Sequence, residues 1–173
     1  MQDVEFDASY IGRNPLGDML ETLSEMVHEG CESSRLRWLS EPGALQLSID
    51  VKDGNAHLCV EELVHGRGCP DIRDGQWMKK LDTSVPLDRL AAAVVEEAER
   101  NLLLHGIAGF SEDWGDHSEA FPMSAYLRLK GIDVSCGDDD LKRSPLEKEL
   151  DILCSLIISK GAGPRTCGHI ITD

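Results

Sequence analysis

The chain is short of positive charge. It carries 17 Lys and Arg against 32 Asp and Glu, a formal net charge of -15. Binding to a phosphate backbone or an anionic membrane surface needs a basic footprint, so both are poor direct partners. A basic protein would be attracted instead, and complementary charge can raise association rates towards about 10⁸ to 10⁹ M⁻¹s⁻¹. The same acidity also favours solubility. Long apolar runs are missing too, and no stretch approaches the roughly 18 residues of a membrane span. The opening MQDVEFDASY has neither a basic n-region nor an apolar h-region, so it does not read as a secretory signal. These absences predict a cytoplasmic protein with reduced thiols. Its cysteines, at positions 31, 59, 69, 136, 154 and 167, form no C-x-x-C pair.

Motifs of catalysis are also lacking. There is no G-x-S-x-G elbow, and no cysteine lies in a papain-like context. The glycines of HGRGCPDIRDG (65–75) are out of order for a P-loop and read as turns. SEDWGDHSEAF (111–121) is the densest polar cluster, with Glu112, Asp113, Asp116, His117 and Glu119 as hard-cation donors. Its spacing is not that of an EF-hand, whose loop wants a ligand where Gly115 stands. It reads as a solvated acidic loop anchored by Phe110, Trp114 and Phe121. His65 with Cys69 and Cys167 with His169 would make a zinc site only if the tail folded back onto the first loop; the plainer reading is two exposed loops. His105 suits the negative end of a helix dipole. Glu61-Glu62 and Glu96-Glu97 are sequence neighbours that point in different directions, so they read as solvated faces, not acid/base dyads. The expectation is no catalytic residue, no metal and no cofactor.

What is present is a fold pattern. In ALQLSIDVKDGNAHLCVEELV (44–64), Leu45, Leu47, Ile49 and Val51 alternate with polar residues, Asp53-Gly54-Asn55 supplies a tight turn, and Leu58 and Val60 return on the apolar side. A hairpin alone is marginal and needs a third strand or a helix against it. Leu36–Leu39 and Gln76–Asp82 are the added strands, the latter with Trp77, Lys79 and Leu81 on one face. Helices are predicted from Asn14-Pro15 to Gly30, from Ser84-Pro86 to Gly106, over FPMSAYLRLK, and from the Ser144-Pro145-Leu146-Glu147 capping box. The last should pack through Leu146, Leu150, Leu153 and Ile157, with Cys154 in the core. The sum is a single α+β domain over 1–173, an antiparallel meander of about four strands with helices mostly on one face. Residues 1–13 read as a loose lead-in, 137–140 as a charged linker and 161–173 as a tail without helical pattern, either mobile or adding an edge strand. A chain of 173 residues can bury roughly 70% of its unfolded surface without disulfides or metal.

WLSEPGALQLSID (38–50), LDRLAAAVVEEAERNLLLHGIAGFSEDW (87–114) and AFPMSAYLRLKG (120–131) together resemble a group of small acidic bacterial proteins. Many of these are immunity proteins for polymorphic and contact-dependent growth inhibition toxins. The shared marks are the aromatic-x-x-Glu-Pro-Gly turn at Trp38–Gly43 and the segment from Trp114 to Phe121-Pro122, both structural. The resemblance covers about 36–131 and implies a protein that binds a cognate, usually basic, toxin domain in the cytoplasm and needs no chemistry of its own. Acidic residues around the sheet are then the expected contact surface: Glu61, Glu62, Asp71 and Asp74 near the first loop, Glu112, Asp113 and Asp116 in the second, and more weakly Asp138, Asp139 and Asp140. The competing readings are an adaptor for another basic protein and, less favoured, a metal- or thiol-dependent enzyme.

Overall fold

A computed structural model describes residues 14–40, 43–64, 76–113, 120–136 and 142–159. Its sheet is built from β1 (Ser33–Ser40), β2 (Gly43–Lys52), β3 (Asn55–Val64) and β4 (Gln76–Pro86), antiparallel throughout and in the order β1-β2-β3-β4. Asp53 and Gly54 join β2 to β3 at φ 50° and 75°, the left-handed values that a two-residue hairpin connection matched to the strand twist requires. The register then sets Leu47 opposite both Leu36 and Val60, and Ile49 opposite Leu58. The centre of one face of the sheet is therefore apolar, as the alternation predicts, with Ser34, Glu62 and Thr83 at its margins.

Strand β4 departs from expectation. Val60 pairs with Leu81, but Glu61 pairs with Lys79, so Lys80 is an extra residue and the register shifts there. A one-residue bulge exchanges the two faces of a period-two strand. Leu81 consequently shares the apolar side with Val60, whereas Lys79 and Trp77 stand with Glu61 and Leu63 on the opposite side. The proposed single face of Trp77, Lys79 and Leu81 is split.

Three of the helices are α1 (Pro15–His28), α2 (Leu87–Asp113) and α3 (Met123–Leu129). Asn14 caps α1, its Oδ1 accepting from the N–H groups of Leu16 (3.0 Å) and Gly17 (3.3 Å). Ser84 and Pro86 do not open α2. They remain in β4, with Pro86 opposite Asn55, and Leu87 donates its N–H to the Gly54 carbonyl at 2.9 Å. The ladder to β3 continues to the hairpin turn and outcompetes the cap. Gly106 ends only the first part of α2. It takes φ 70°, ψ 177°, a conformation nearly confined to glycine, and a second helical segment follows to Asp113. A short ladder of β5 (Ser135–Cys136) with β6 (Lys142–Arg143) precedes α4 (Leu146–Ser159).

Helix α4 is turned away from its expected phase. Leu156 is buried and Ile152 and Leu153 are partly so, while Leu146, Leu150 and Ile157 are 63%, 51% and 55% exposed. Cys154 is exposed as well. Periodicity locates an apolar stripe without saying how much of it a neighbour covers. The Ser144 hydroxyl donates to the Glu149 side chain, in place of the expected capping box with Glu147.

Two apolar clusters hold these elements. Leu23 and Met26 of α1 lie over Trp38, Leu45, Leu47, Ile49 and Ala56, with Leu87, Leu90 and Val94 of α2 beside them. The second cluster is helical: Leu20 of α1, Val95, Ala98 and Leu102 of α2, Tyr126 of α3 and Leu156 of α4. Phe110, Phe121 and Tyr126 add edge-to-face ring contacts, with centroids 5.3 and 5.9 Å apart. Trp38 Nε1 donates to Asp18 Oδ2 at 3.0 Å and ties the start of α1 to β1. Among the described residues no helix is long and apolar enough to cross a membrane.

Ile49 is fully buried, so Ile49→Ala is expected to lower the unfolding free energy by about 2–5 kcal/mol, measured by denaturant titration. Gly106→Ala has open space for its Cβ but the wrong backbone sign, and is expected to cost about 1–3 kcal/mol in the same assay.

Candidate functional site

The helices leave a groove of about 790 Å³ between the end of α1, the start of α2 and the end of α3, closed at one side by the β2–β3 turn at Gly54. Successive turns of α2 build it. Leu87, Ala91 and Val95 give the apolar floor, and the adjoining stripe of Asp88, Ala92 and Glu96 forms the wall. Met26 and Val27 of α1 and Leu129 of α3 complete it. Val27 is 44% exposed, a large apolar side chain facing solvent at the groove's edge. The rim is mostly acidic. Glu96 makes no ion pair with any described residue, and Asp88 engages only the N–H of Arg89, at 2.8 Å.

Glu99 and Lys130, which also line the groove, are held by each other. Lys130 Nζ donates to Glu99 Oε1 at 2.9 Å, and the Tyr126 hydroxyl donates to the same oxygen at 3.4 Å. The Glu99 side chain is only 13% exposed, so it belongs to the packed surface that α2 shares with Tyr126 and Lys130. Burial, then the neighbouring Glu99 charge, pushes the Tyr126 hydroxyl up to about 12.

The opposite surface, the polar face of the sheet, carries a second cluster. His57 Nδ1 lies 3.2 Å from Ser84 Oγ, and His57 Nε2 lies 3.2 Å from Asp82 Oδ1. The order Ser–His–Asp invites comparison with a charge-relay triad. Here the three groups lie on neighbouring strands with the His57 and Asp82 side chains 47% and 41% exposed, open to water and not gathered around an enclosed reacting atom. Asp82 is shared with Lys79, whose hydrogen bond holds the carboxyl below its usual range. Cys59 is paired with Asp82 across β3 and β4; burial raises its thiol, and Glu61, Asp82 and Asp50 add to that against the opposing pull of Lys79. A raised thiol is a poor nucleophile near neutrality. The cluster is a cross-strand brace.

Of the acidic residues anticipated as a contact surface, Glu61, Glu62, Glu112 and Asp113 lie among the described residues. Glu61 accepts from Gln46 Nε2 at 3.1 Å, Gln46 Oε1 accepts from Arg37 at 2.8 Å, and Arg37 stacks over Trp77 at 5.2 Å. Glu62 points to the other side of β3 and pairs with Lys80 at 2.6 Å. Each is thus occupied within the sheet. Glu112 and Asp113 are in the last turn of α2, remote in sequence from both. Asp71, Asp74, Asp116 and Asp138–Asp140 lie outside the described residues, as do His65, Cys69, Cys167 and His169. Among the described residues no group of three or more His, Cys, Asp and Glu side chains is placed to hold a metal ion. The groove residues Asp88, Ala92 and Glu96 were not anticipated. Their i, i+4 spacing beside an apolar stripe was visible, but it is equally the pattern of an ordinary solvated helix face.

No family model, no curated protein and no solved structure matches this chain.

The Tyr126 arrangement has a pH consequence. A hydroxyl at about 12 in the folded state, against an ordinary value of 10.0, keeps a proton that the unfolded chain gives up earlier. Its contribution to stability is complete below pH 10 and is lost as pH rises through 12. Ultraviolet titration should show a late phenolate transition that is missing in Tyr126→Phe and moves to lower pH in Glu99→Gln.

Proposed function

We propose that the chain is an immunity-type inhibitor, which binds a cationic toxin domain and neutralises it by covering its working surface, with no substrate transformed. The observation that carries this reading is the groove on the helical side, where an apolar floor meets a mainly carboxylate rim. Such a surface suits a protein partner: buried apolar anchors supply most of the affinity, and surrounding charge supplies steering and register. The net charge of -15 extends the attraction beyond the groove itself. The resemblance of the Trp38–Gly43 turn and the Phe121-Pro122 segment to acidic immunity proteins supports the same reading. Inhibition by covering requires no nucleophile, base or metal in the inhibitor.

The test is growth. The C-terminal domain of a large secreted protein encoded next to this chain's gene is expressed with and without the chain. Growth arrest relieved only by co-expression is the expected outcome, together with a complex whose association slows as salt rises. A neighbouring domain that stays toxic in the presence of folded chain would overturn the reading.

A further inference from the structure

We infer that the groove between α1, α2 and α3 receives a cationic amphipathic helix, its apolar residues seated on Leu87, Ala91, Val95, Met26 and Leu129 and its Lys or Arg side chains set against Asp88 and Glu96. This names the partner element for the site just described and rests on the immunity reading only for the identity of the protein that bears the helix.

The geometry comes from one helix. Asp88, Ala92 and Glu96 succeed one another at four-residue intervals, so the carboxylates lie about 12 Å apart along α2 at roughly 1.5 Å per residue. Two basic side chains on one face of a second helix, two turns apart, match that span. Between the carboxylates Ala92 leaves the wall low, so a helix can approach closely without meeting a large side chain. The floor continues the stripe that packs Leu90 and Val94 onto the sheet, so it is part of a rigid core. A volume of about 790 Å³ accommodates several apolar side chains rather than one, as an amphipathic helix laid in a groove presents. Charge selects the sign of the partner. Glu96 is free of ion pairs with described residues, whereas Asp88 is partly used by the Arg89 N–H and lies at the positive end of the helix dipole. Glu96 should therefore contribute more than Asp88.

The experiment uses the full chain and a labelled synthetic helix of leucine and lysine in amphipathic order, with a leucine–glutamate version as its counterpart. Binding is followed by fluorescence anisotropy and by NMR of the Val95 and Leu129 methyl groups. Ala92→Trp fills the groove from an exposed position, Glu96→Lys reverses its rim, and Glu25→Lys makes the same charge change on the exposed side of α1, outside the groove. The expected result is binding of the lysine peptide only, with shifts at both methyl groups. Ala92→Trp and Glu96→Lys should each weaken binding about tenfold or more, the scale of one hot-spot contact, and Glu25→Lys less than about twofold. Equal weakening by Glu25→Lys and Glu96→Lys, or binding that leaves the methyl resonances unmoved, would show attraction by net charge alone and overturn the inference. Toxin neutralisation that survives Ala92→Trp and Glu96→Lys undiminished would also overturn it while leaving the immunity reading intact; failure of neutralisation by the unaltered chain, with peptide binding as expected, would do the reverse.

Discussion

Helix α1 is buried on two sides, and the rest of the molecule depends on that. Leu23 and Met26 pack onto the apolar face of the sheet, while Leu20, a turn earlier, belongs to the helical cluster with Val95, Ala98 and Tyr126. A helix with an apolar arc wide enough to serve both clusters joins the two cores, together with Val94 of α2 and Leu129 of α3, which pack against both. Its ends are fixed accordingly. Trp38 holds the Asp18 carboxylate at one end, and at the other His28 contacts the Arg128 carbonyl at 3.0 Å while Arg128 donates to Glu29 at 3.0 Å. The groove exists because α2 and α3 both lean on this helix without fully meeting at its C-terminal end.

Much of the architecture was legible in the chain because its signals are local. Alternation from Leu45 to Val51, the positive-φ pair Asp53-Gly54 and the Asn14-Pro15 cap each act over a few residues, and each reappears in the structure. What was not legible depends on partners distant in sequence. Ser84 and Pro86 form a plausible helix start until the ladder to β3 claims them. Lys80 gives no sign of being a bulge, since the slip is defined by its pairing with β3. Leu146, Leu150 and Ile157 share the spacing of core residues, and only the lie of α4 on its neighbours leaves them outside.

The site was harder to read than the fold. Acidic residues near loops were the natural candidates for a contact surface, yet Glu61 and Glu62 are bound to Gln46 and Lys80 within the sheet. Among the described residues, Asp88 and Glu96 are carboxylates beside apolar surface on α2, where nothing in the pattern separates a groove wall from a solvated face. Concavity arises from three helices together, and no one of their sequences contains it. The proposed mode of action suits such a surface, since fit and charge are all that it asks of the protein.

The bulge in β4 has an effect on the sheet's border. The register slips at Lys80, the adjacent Lys79 and Lys80 charge both sides of this outer strand, and the strand ends in Pro86, which has no N–H to offer. A bent, charged margin terminated by proline is a poor template for further strand addition. On that side, the meander is guarded against growing into a larger assembly.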